Sequence, residues 1–402
     1  MDQARAPAGS AAPADGWATV EALVAAGEIA AARDRAFAVL AAAPDDLTIK
    51  RNVAFLVFDL SLFADFRPAV AFLRECIALD PDDKDVMRRL AHMNWVCGNA
   101  EEAMAMGLRL IVLDPSVLGH FLDYASYCLT AGRPEQALLA SAAVVASMPE
   151  DLNAKSRMAL ARLLALDRRV VRARLDDVEL LFELTARNGQ RMGSDLIHVS
   201  GALGEAEELR TMRRAVDPGG TVVEVGLLVG NHFLFFLKAL RPRRLIGFEG
   251  DRDNLALVER NIGYNRAASP AAFEGTAIVL RHALIGDKVV AGDEGAPGAP
   301  ALDGQLVSLD EALASEQRVD LVKIDVDGME LDVLRGMRAT MQRFRPVVMI
   351  EVERTLAAQA RALLAESGYA VAARIERDVY ANWLVAPADR IAEVQRRIQG
   401  AG

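Results

Sequence analysis

Acidic side chains and one histidine stand beside short apolar runs in the second half of this 402-residue chain. Asp325 and Asp327 follow the run LVKI, Glu351 and Glu353 follow VVMI, and His232 opens the segment HFLFF. Carboxylates and imidazole are the side chains that most often accept a proton from a reacting group. Carboxylates also bind Mg²⁺, but this spacing does not demand a metal, and we expect none.

Each of these candidates also has a purely structural explanation. Asp325 either takes part in proton transfer or accepts hydrogen bonds from the amides of its own loop. His232 is either a base or a packed residue of an apolar helix. The sequence leaves both alternatives open.

A glycine-containing turn indicates a nucleoside site upstream of these acids. The segment TVVEVGLLVGNHFLFF (221–236) contains a β-branched run, then Gly226 and Gly230, then a helical pattern. Glycine lets the backbone approach a ligand, and a helix N-terminus offers N–H donors. Glu249 follows Gly226 by 23 residues, close to the spacing at which an acid binds ribose hydroxyls. The glycine spacing departs from the GxGxxG of dinucleotide sites, which disfavours a nicotinamide dehydrogenase.

From about residue 200 onward, strand patterns alternate with helix patterns. These elements must position the acidic residues and the glycine turn. Short β-branched runs are separated by helical periods, which predicts a parallel sheet covered by helices on both faces. Ligands of such sheets bind at the carboxyl ends of the strands. The runs are 221–226, 244–250, 276–286, 319–328 and 346–353.

The first half of the chain repeats instead. Prolines recur at intervals of 37, 34 and 34 residues, each preceded by an alanine twelve positions earlier. A glycine, or Ala64 in one unit, stands five positions before that alanine. This predicts four antiparallel helix pairs that resemble tetratricopeptide (TPR) repeats, with a groove for a protein partner. Alternatively, the helices only enlarge or dimerise the other half. The repeated residues are Pro44, Pro81, Pro115 and Pro149; Ala32, Ala69, Ala103 and Ala137; and Gly27, Gly98 and Gly132.

Composition excludes several classes of protein. A formal net charge of −10 gives no broad positive surface for nucleic acid. The cysteines Cys76, Cys97 and Cys128 form no CxxC pair, and no apolar run reaches the length of a membrane span. We therefore expect a cytoplasmic protein without a membrane span that binds no nucleic acid. The predicted divisions are a disordered tail at 1–16, TPR-like repeats at 17–165, linking and capping helices at 166–199, and a second domain at 200–402.

Ordered motifs in the second half resemble the FkbM-type methyltransferases. They are EVGLLVGNHFLFF, IGFEGDRDNLALVERNIGYN, LRHALIGD, DLVKIDVDGMELDVLRGM, RPVVMIEVE and GYAVAARIERDVYANWLVAP. The resemblance implies a class I, Rossmann-like domain with a seven-stranded sheet, one strand of which is antiparallel. It further implies transfer of a methyl group from S-adenosyl-L-methionine to a hydroxyl of a sugar, glycan or other metabolite.

The same resemblance assigns provisional residue functions. Glu224, Gly226 and Gly230 would line the methionine end of the cofactor, Glu249 its ribose, and the HAL sequence its adenine. Asp325 would face the transferred methyl group beside the cofactor, with His232 and Glu351 as the other candidate bases. The HAL residues are His282, Ala283 and Leu284.

One loop departs from the family pattern. Where the family has Gly-Ala-Asn-Ile-Gly, this chain has Leu227 and Leu228 at the second and third positions. A hydrogen-bonding amide is thereby lost. The alternative function is therefore a protein-interaction scaffold whose methyltransferase-like domain is inactive.

Overall fold

The computed structural model describes residues 13–62, 65–187, 190–287, 305–326, 328–377 and 380–400, and the chain divides into two units between Arg162 and Leu163. Residues 1–12 of the predicted tail, Ala64 and Asp327 lie outside the described residues. The prediction of a tail is wrong for residues 13–16, because Pro13 begins the first helix. Proline is favoured in the first turn of a helix, where its missing N–H is not needed.

The first unit is a helical repeat array that resembles TPR proteins. Consecutive helices pack together as α1 with α2, α3 with α4, α5 with α6, and α7 with α8, which confirms the predicted pairs. Of the helices that the structure describes, none is long and apolar enough to cross a membrane. The helices are α1 Pro13–Ala25, α2 Ile29–Ala42, α3 Leu47–Asp59, α4 Phe66–Leu79, α5 Lys84–Val96, α6 Ala100–Leu113, α7 Leu118–Thr130, α8 Pro134–Ser147 and α9 Leu152–Ala165.

Small residues explain why these pairs form. The four repeated alanines are fully buried between the helices, with exposed fractions of 0–1%. In three repeats a left-handed glycine makes the turn within the pair, at φ between +70° and +87°. In the second repeat the connection between α3 and α4 is three residues longer, and Ser61 takes the left-handed conformation at φ +52°. This insertion accounts for the single 37-residue interval between prolines.

The second unit contains a mostly parallel sheet, as predicted for a Rossmann-like methyltransferase domain. Its strand order is β6-β5-β4-β3-β7-β8-β10-β9, and β10 runs antiparallel to both of its neighbours. The short edge strand β6 adds one strand to the seven that were predicted. The strands are β3 Thr221–Val225, β4 Arg244–Glu249, β5 Ala277–Ile285, β6 Gln305–Val307, β7 Leu321–Ile324, β8 Val347–Glu353, β9 Tyr369–Glu376 and β10 Tyr380–Pro387.

Both faces of this sheet are apolar. Val222 and Met349 belong to one hydrophobic core, while Val223 and Ile350 belong to the other, so that neighbours along a strand face opposite sides. Side chains buried on both faces are typical of parallel sheets. The helices of the second unit are α10 Gln190–His198, α11 Ala206–Ala215, α12 Asn231–Leu240, α13 Arg252–Ala268, α14 Leu309–Ala312, α15 Glu330–Arg335, α16 Arg338–Phe344, α17 Ala357–Glu366 and α18 Ile391–Gln399.

The prediction of linking and capping helices at 166–199 is wrong for residues 170–183. These residues form an antiparallel hairpin of β1 Val170–Leu175 and β2 Val178–Glu183, and α10 follows it. The reason is a period of two: Ala173 and Leu180 are buried, whereas Arg174 and Glu179 are exposed. The charged residues therefore alternate with core residues instead of covering one face of a helix.

Two buried asparagines bind the hairpin to α13. Asn265 accepts a hydrogen bond from the N–H of Leu181 at 3.1 Å and donates to the carbonyl oxygen of the same residue at 2.8 Å. Asn261 accepts from the N–H of Glu183 at 2.8 Å and donates to the carbonyl oxygen of Val229 at 3.0 Å. The edge of β2 thus finds its backbone partners in side chains of a helix.

We expect Asn265→Ala to destabilise the second unit by about 2–4 kcal/mol, because it leaves the part-buried N–H and carbonyl of Leu181 without their side-chain partner. Urea denaturation measures the change. Asn153→Ala, at an exposed position of α9, is the control and should change stability by less than about 0.5 kcal/mol. Equal stability of the two variants would show that the hairpin does not depend on this contact.

Candidate functional site

The turn after β3 passes directly over the end of β7. Gly226 has φ +85°, and a Cβ atom there would lie 1.8 Å from the carbonyl oxygen of Asp325. The N–H of Gly226 donates to the carbonyl oxygen of Phe248 at 2.9 Å, and the N–H of Asp325 donates to that of Val225 at 3.0 Å. Only glycine fits at position 226, so the turn and the start of the Asp325 loop form one structural unit.

The two leucines of this turn differ in their surroundings. Leu227 is buried, whereas Leu228 is half-buried and adopts φ +50°. A left-handed conformation costs a residue with a side chain about 1–2 kcal/mol, and asparagine tolerates it better than leucine. The departure from the family loop therefore places a strained residue at the centre of the turn.

Glu249, at the end of β4, binds this turn through its carboxylate. Oε2 accepts hydrogen bonds from the N–H groups of Leu227 at 2.9 Å and Leu228 at 3.0 Å. Oε1 accepts from the N–H of Asp251 at 2.9 Å and from Nδ2 of Asn254 at 3.4 Å. The residue expected to bind ribose is thus also the residue that holds the turn in shape.

The residues expected around adenine lie on the next strand. His282 is the register neighbour of Glu249, and its Nε2 lies 3.0 Å from the carbonyl oxygen of Gly250. Ala283 is buried and Leu284 is half-buried. The predicted ribose and adenine residues therefore occupy adjacent strand ends, and their contact with a cofactor stays a prediction.

A second polar group lies on one face of the sheet at the ends of β3, β7 and β8. Carboxylate oxygens of Glu205, Asp325 and Glu351, which we call the carboxylate triad, lie within 4.8 Å of one another. Asp325 and Glu351 come from adjacent strands, and Glu205 comes from the residue before α11. The fold brings together two of the predicted catalytic residues with one that sequence reasoning missed.

Lys323 lies beneath the triad on β7. Its exposed fraction is 4%, and its Nζ lies 2.6 Å from Oδ2 of Asp325. Burial alone would lower the pKa of this lysine, but the carboxylates of Asp325, Glu205 and Glu224 raise it above its ordinary value. The side chain therefore remains a buried ammonium ion that fixes the position of Asp325.

His232 lies between two carboxyl groups, those of Glu205 and Glu224, that differ in protonation state. Its Nε2 lies 2.8 Å from Oε2 of Glu205, and its Nδ1 lies 3.8 Å from Oε1 of Glu224. Burial raises the pKa of Glu205, but His232, Lys323 and Arg377 outweigh that effect and lower it to about 2. Glu205 is therefore ionised at neutral pH.

Glu224 is the neutral member of the group. Its exposed fraction is 1%, and burial raises its pKa to about 8, with Asp325, Glu205 and Glu249 adding to the rise and Lys323 opposing it. At pH 7 the protonated form therefore predominates. Glu224 was predicted to line the cofactor, and it lies next to Lys323 in the register of β3 and β7.

The candidate bases differ in how accessible they are. The side chain of Asp325 is 31% exposed, whereas that of His232 is 9% exposed and faces Glu205. Glu353 lies outside the triad and accepts a hydrogen bond from Thr355. Asp327 cannot be compared because it lies outside the described residues. Asp325 thus combines exposure with a position fixed by Lys323.

Two members of the site, Glu205 and Lys323, were not predicted. A signal for Lys323 was present, since a lysine inside the buried run LVKI requires an anionic partner. Glu205 gave no comparable signal because its contacts join segments that are far apart in sequence.

A cavity of about 280 Å³ lies near the amino-terminal ends of β3, β7 and β8. Its charged side chains pair with one another, Arg318 with Asp320 and Arg397 with Asp217. It contains none of the predicted site residues, and ligands of parallel sheets bind at the carboxyl ends of the strands instead.

Residues 211–371 match the family model described as the methyltransferase FkbM domain. This confirms the resemblance inferred from the motifs. Comparison with proteins of curated function gives no match.

Solved structures are similar to each half separately. The MamA protein is 17% identical over 39% of this chain and 84% of its own, with a TM-score of 0.34. YrrB, described as a TPR protein with an unusual peptide-binding site, is 13% identical over 38% of this chain and 77% of its own, with a TM-score of 0.33. Precorrin-6y C5,15-methyltransferase from Geobacter metallireducens GS-15 is 13% identical over 45% of this chain and 87% of its own, with a TM-score of 0.31.

The two perturbed glutamates predict pH effects of opposite sign. Because the folded-state pKa of Glu224 is about 8 and its ordinary value is 4.5, the native chain retains a proton that the unfolded chain loses. Wild-type stability therefore falls as pH rises from about 4.5 to 8. The stability of Glu224→Gln relative to wild type should rise by at most about 1.4 kcal/mol per pH unit over this range and then level off.

Glu205→Gln provides the contrasting variant. The pKa of Glu205 is lowered to about 2, so its ionised form stabilises the protein above its ordinary pKa. The variant should be less stable than wild type at pH 7, with the difference shrinking as pH falls from about 4.5 towards 2. Denaturant titrations across pH 3–9 measure both effects. Parallel pH profiles for the two variants would contradict the assignment.

Proposed function

We propose that this protein is an S-adenosyl-L-methionine-dependent O-methyltransferase that acts on a hydroxyl of a sugar, glycan or other metabolite. In this proposal residues 200–402 carry the catalysis, and residues 17–165 recruit the acceptor or a partner protein. The observation that carries it is the glycine turn after β3, which is bound by Glu249 from β4 beside the carboxylate triad. This turn lies within the segment that matches the methyltransferase domain.

The residues around the turn fit a nucleoside cofactor. A carboxylate has about four lone-pair sites, and the chain supplies Glu249 with four donors, of which Nδ2 of Asn254 is the most distant at 3.4 Å. A ribose hydroxyl would replace this contact at little cost while the turn keeps its two amide bonds. His282 and Leu284 would border the base from the neighbouring strand.

The bound cofactor supplies an electrophilic methyl group on a sulfonium sulfur. The acceptor oxygen attacks this carbon as the carbon–sulfur bond breaks, and the hydroxyl proton must be removed. Asp325 is the proposed catalytic residue, either as base or as the group that orients the acceptor. Lys323 positions Asp325, and His232 acts through Glu205 because its own ring is shielded.

The charge of the site supports a hydroxylated acceptor. Ionised carboxylates only accept hydrogen bonds, so the exposed oxygens of Glu205 and Asp325 select groups that donate, such as hydroxyls. A carboxylate or phosphate group would meet repulsion here. This agrees with the sugar or metabolite hydroxyl that the family resemblance implies.

The helical array carries a strip of arginines and aromatic rings on the first helices of its pairs. Arg88 and Arg89 of α5 lie 5.3 Å and 3.8 Å from the ring centres of Phe58 and Phe55 of α3. Trp95 continues the strip and packs on the buried ring of Tyr127 of α7, with the ring centres 5.8 Å apart. Flat, partly exposed rings with guanidinium groups are common in binding surfaces, which supports recruitment through this strip.

A second candidate function is a binding scaffold with an inactive methyltransferase-like domain. The strained Leu228 favours it, because the family amide at this position is missing. Binding of the cofactor distinguishes the two candidates.

We expect calorimetric titration to detect binding of S-adenosylmethionine and S-adenosylhomocysteine but not of NAD. Glu249→Ala should weaken S-adenosylmethionine by roughly 10- to 150-fold, since a charge-assisted hydrogen bond contributes about 1.5–3 kcal/mol. Asn254→Ala is the matched control for the same carboxylate and should change affinity by less than about threefold. A wild-type chain that binds neither sulfur compound would support the scaffold instead.

Chemistry and recruitment should separate kinetically once the acceptor is identified by mass spectrometry of methylated species. Asp325→Asn should lower kcat by about 10²- to 10⁴-fold with little change in cofactor affinity, as for loss of a general base. Arg88→Ala, on the strip, should raise KM for the acceptor and leave kcat unchanged. A loss of cofactor binding in Asp325→Asn would make this residue an organiser of its loop.

A further inference from the structure

We propose that the carboxylate triad of Glu205, Asp325 and Glu351 binds a hard divalent cation of the Mg²⁺ or Ca²⁺ type. One oxygen from each side chain lies within 4.8 Å of the other two. Three atoms no more than 4.8 Å apart lie within about 2.8 Å of a common centre, and oxygen ligands of Ca²⁺ lie about 2.3–2.6 Å from the ion. A single ion can therefore reach all three carboxylates with only small movements of their side chains.

Buried oxygens beside the triad give a second, independent indication of a cation. Within the described part of the chain, Oε2 of Glu224 and Oε2 of Glu208 are buried and have no hydrogen-bond partner. Both side chains are 1% exposed. Glu224 projects beside Lys323, and Glu208 contacts Asn382, the register neighbour of Glu351. These orphaned, buried oxygens, next to the strands that carry the triad, indicate that a polar partner is missing there.

The carboxylates of the triad lie close together although their charges repel. Lys323 pairs with Oδ2 of Asp325 at 2.6 Å, and His232 faces Glu205. Carboxylates at this separation repel one another unless a cation or a proton lies between them. A divalent ion between the three carboxylates would remove this repulsion.

The donor set decides which kind of ion fits. All three ligands are carboxylate oxygens, which prefer hard cations over soft transition metals. They come from three separate segments, the residue before α11 and the ends of β7 and β8. Three protein ligands leave several coordination positions for oxygen atoms of another molecule.

If the proposed methyl transfer is correct, on which this step rests, the ion would bind the acceptor hydroxyl and favour its deprotonation. Asp325 would then orient the acceptor through the ion, and the hydroxyl proton would leave to water. An ion with several open positions favours acceptors that offer two neighbouring hydroxyl oxygens, such as a vicinal diol.

Manganese binding to the full-length chain tests the site without cofactor or acceptor. After removal of metals by a chelator, titration with Mn²⁺, followed by the electron paramagnetic resonance signal of the free ion, should show one site per chain. Mg²⁺ or Ca²⁺ should displace the bound ion. Glu205→Gln and Glu351→Gln should each weaken Mn²⁺ by about tenfold or more, as expected for the loss of a charged ligand.

Glu353→Gln is the matched control, because it removes the same charge two residues further along β8 from a position outside the triad. It should change Mn²⁺ affinity by less than about threefold. Absence of Mn²⁺ binding at millimolar concentration, or equal affinity in all three variants, would overturn the proposal.

Terbium luminescence provides a test that does not depend on folding of the carboxylate variants. Tyr380 begins β10 opposite Glu353, two positions along the strand pair from Asn382 and Glu351. Excitation of this ring should sensitise bound Tb³⁺, and Tyr380→Phe should abolish most of the emission while Tb³⁺ still binds. Unchanged emission in Tyr380→Phe would place the ion elsewhere. Because neither measurement needs methyl transfer, a failed cation site and a failed methyltransferase assignment give different results.

Discussion

The close approach of Gly226 to the carbonyl oxygen of Asp325 is the constraint on which the site depends. A side chain at position 226 would place its Cβ 1.8 Å from that oxygen, a distance that no local adjustment can absorb. The turn expected to hold the cofactor and the loop that carries Asp325 are therefore fixed relative to each other by direct backbone contact. Methyl transfer requires such a fixed relation, because donor carbon and acceptor oxygen must be aligned to within a fraction of an ångström.

Lys323 organises the other half of the site through charge. A buried ammonium ion is costly unless it is paired, and this one has Asp325 at 2.6 Å with Glu205 and Glu224 nearby. The glutamates respond in opposite ways: Glu205 ionises because positive groups surround it, while the fully buried Glu224 keeps its proton. Environment alone thus separates the states of chemically identical side chains, as active sites require.

The sequence predicted much of the fold because its signals were local. Buried alanines and left-handed glycines recur in phase in the array, and each predicted strand contains a β-branched run with acids or glycines at its end. The hairpin at 170–183 was missed because its arginines suggested a helix face, although their alternation with Ala173 and Leu175 has the period of a strand. Two of the three members of the triad were predicted. Glu205 was missed because it reaches Asp325 and Glu351 through the tertiary fold, and no spacing in the sequence encodes that contact.

The shape of the glycine turn is decided by a balance between strain and hydrogen bonding. Leu228 at φ +50° costs about 1–2 kcal/mol relative to an ordinary backbone conformation. Glu249 accepts hydrogen bonds from the amides of Leu227 and Leu228, and bonds to a charged acceptor contribute about 1.5–3 kcal/mol each. The two bonds together exceed the strain, so the turn holds its conformation without an asparagine at position 228. The carboxylate of Glu249 therefore holds the turn in this conformation, and the strain at Leu228 does not prevent the turn from forming.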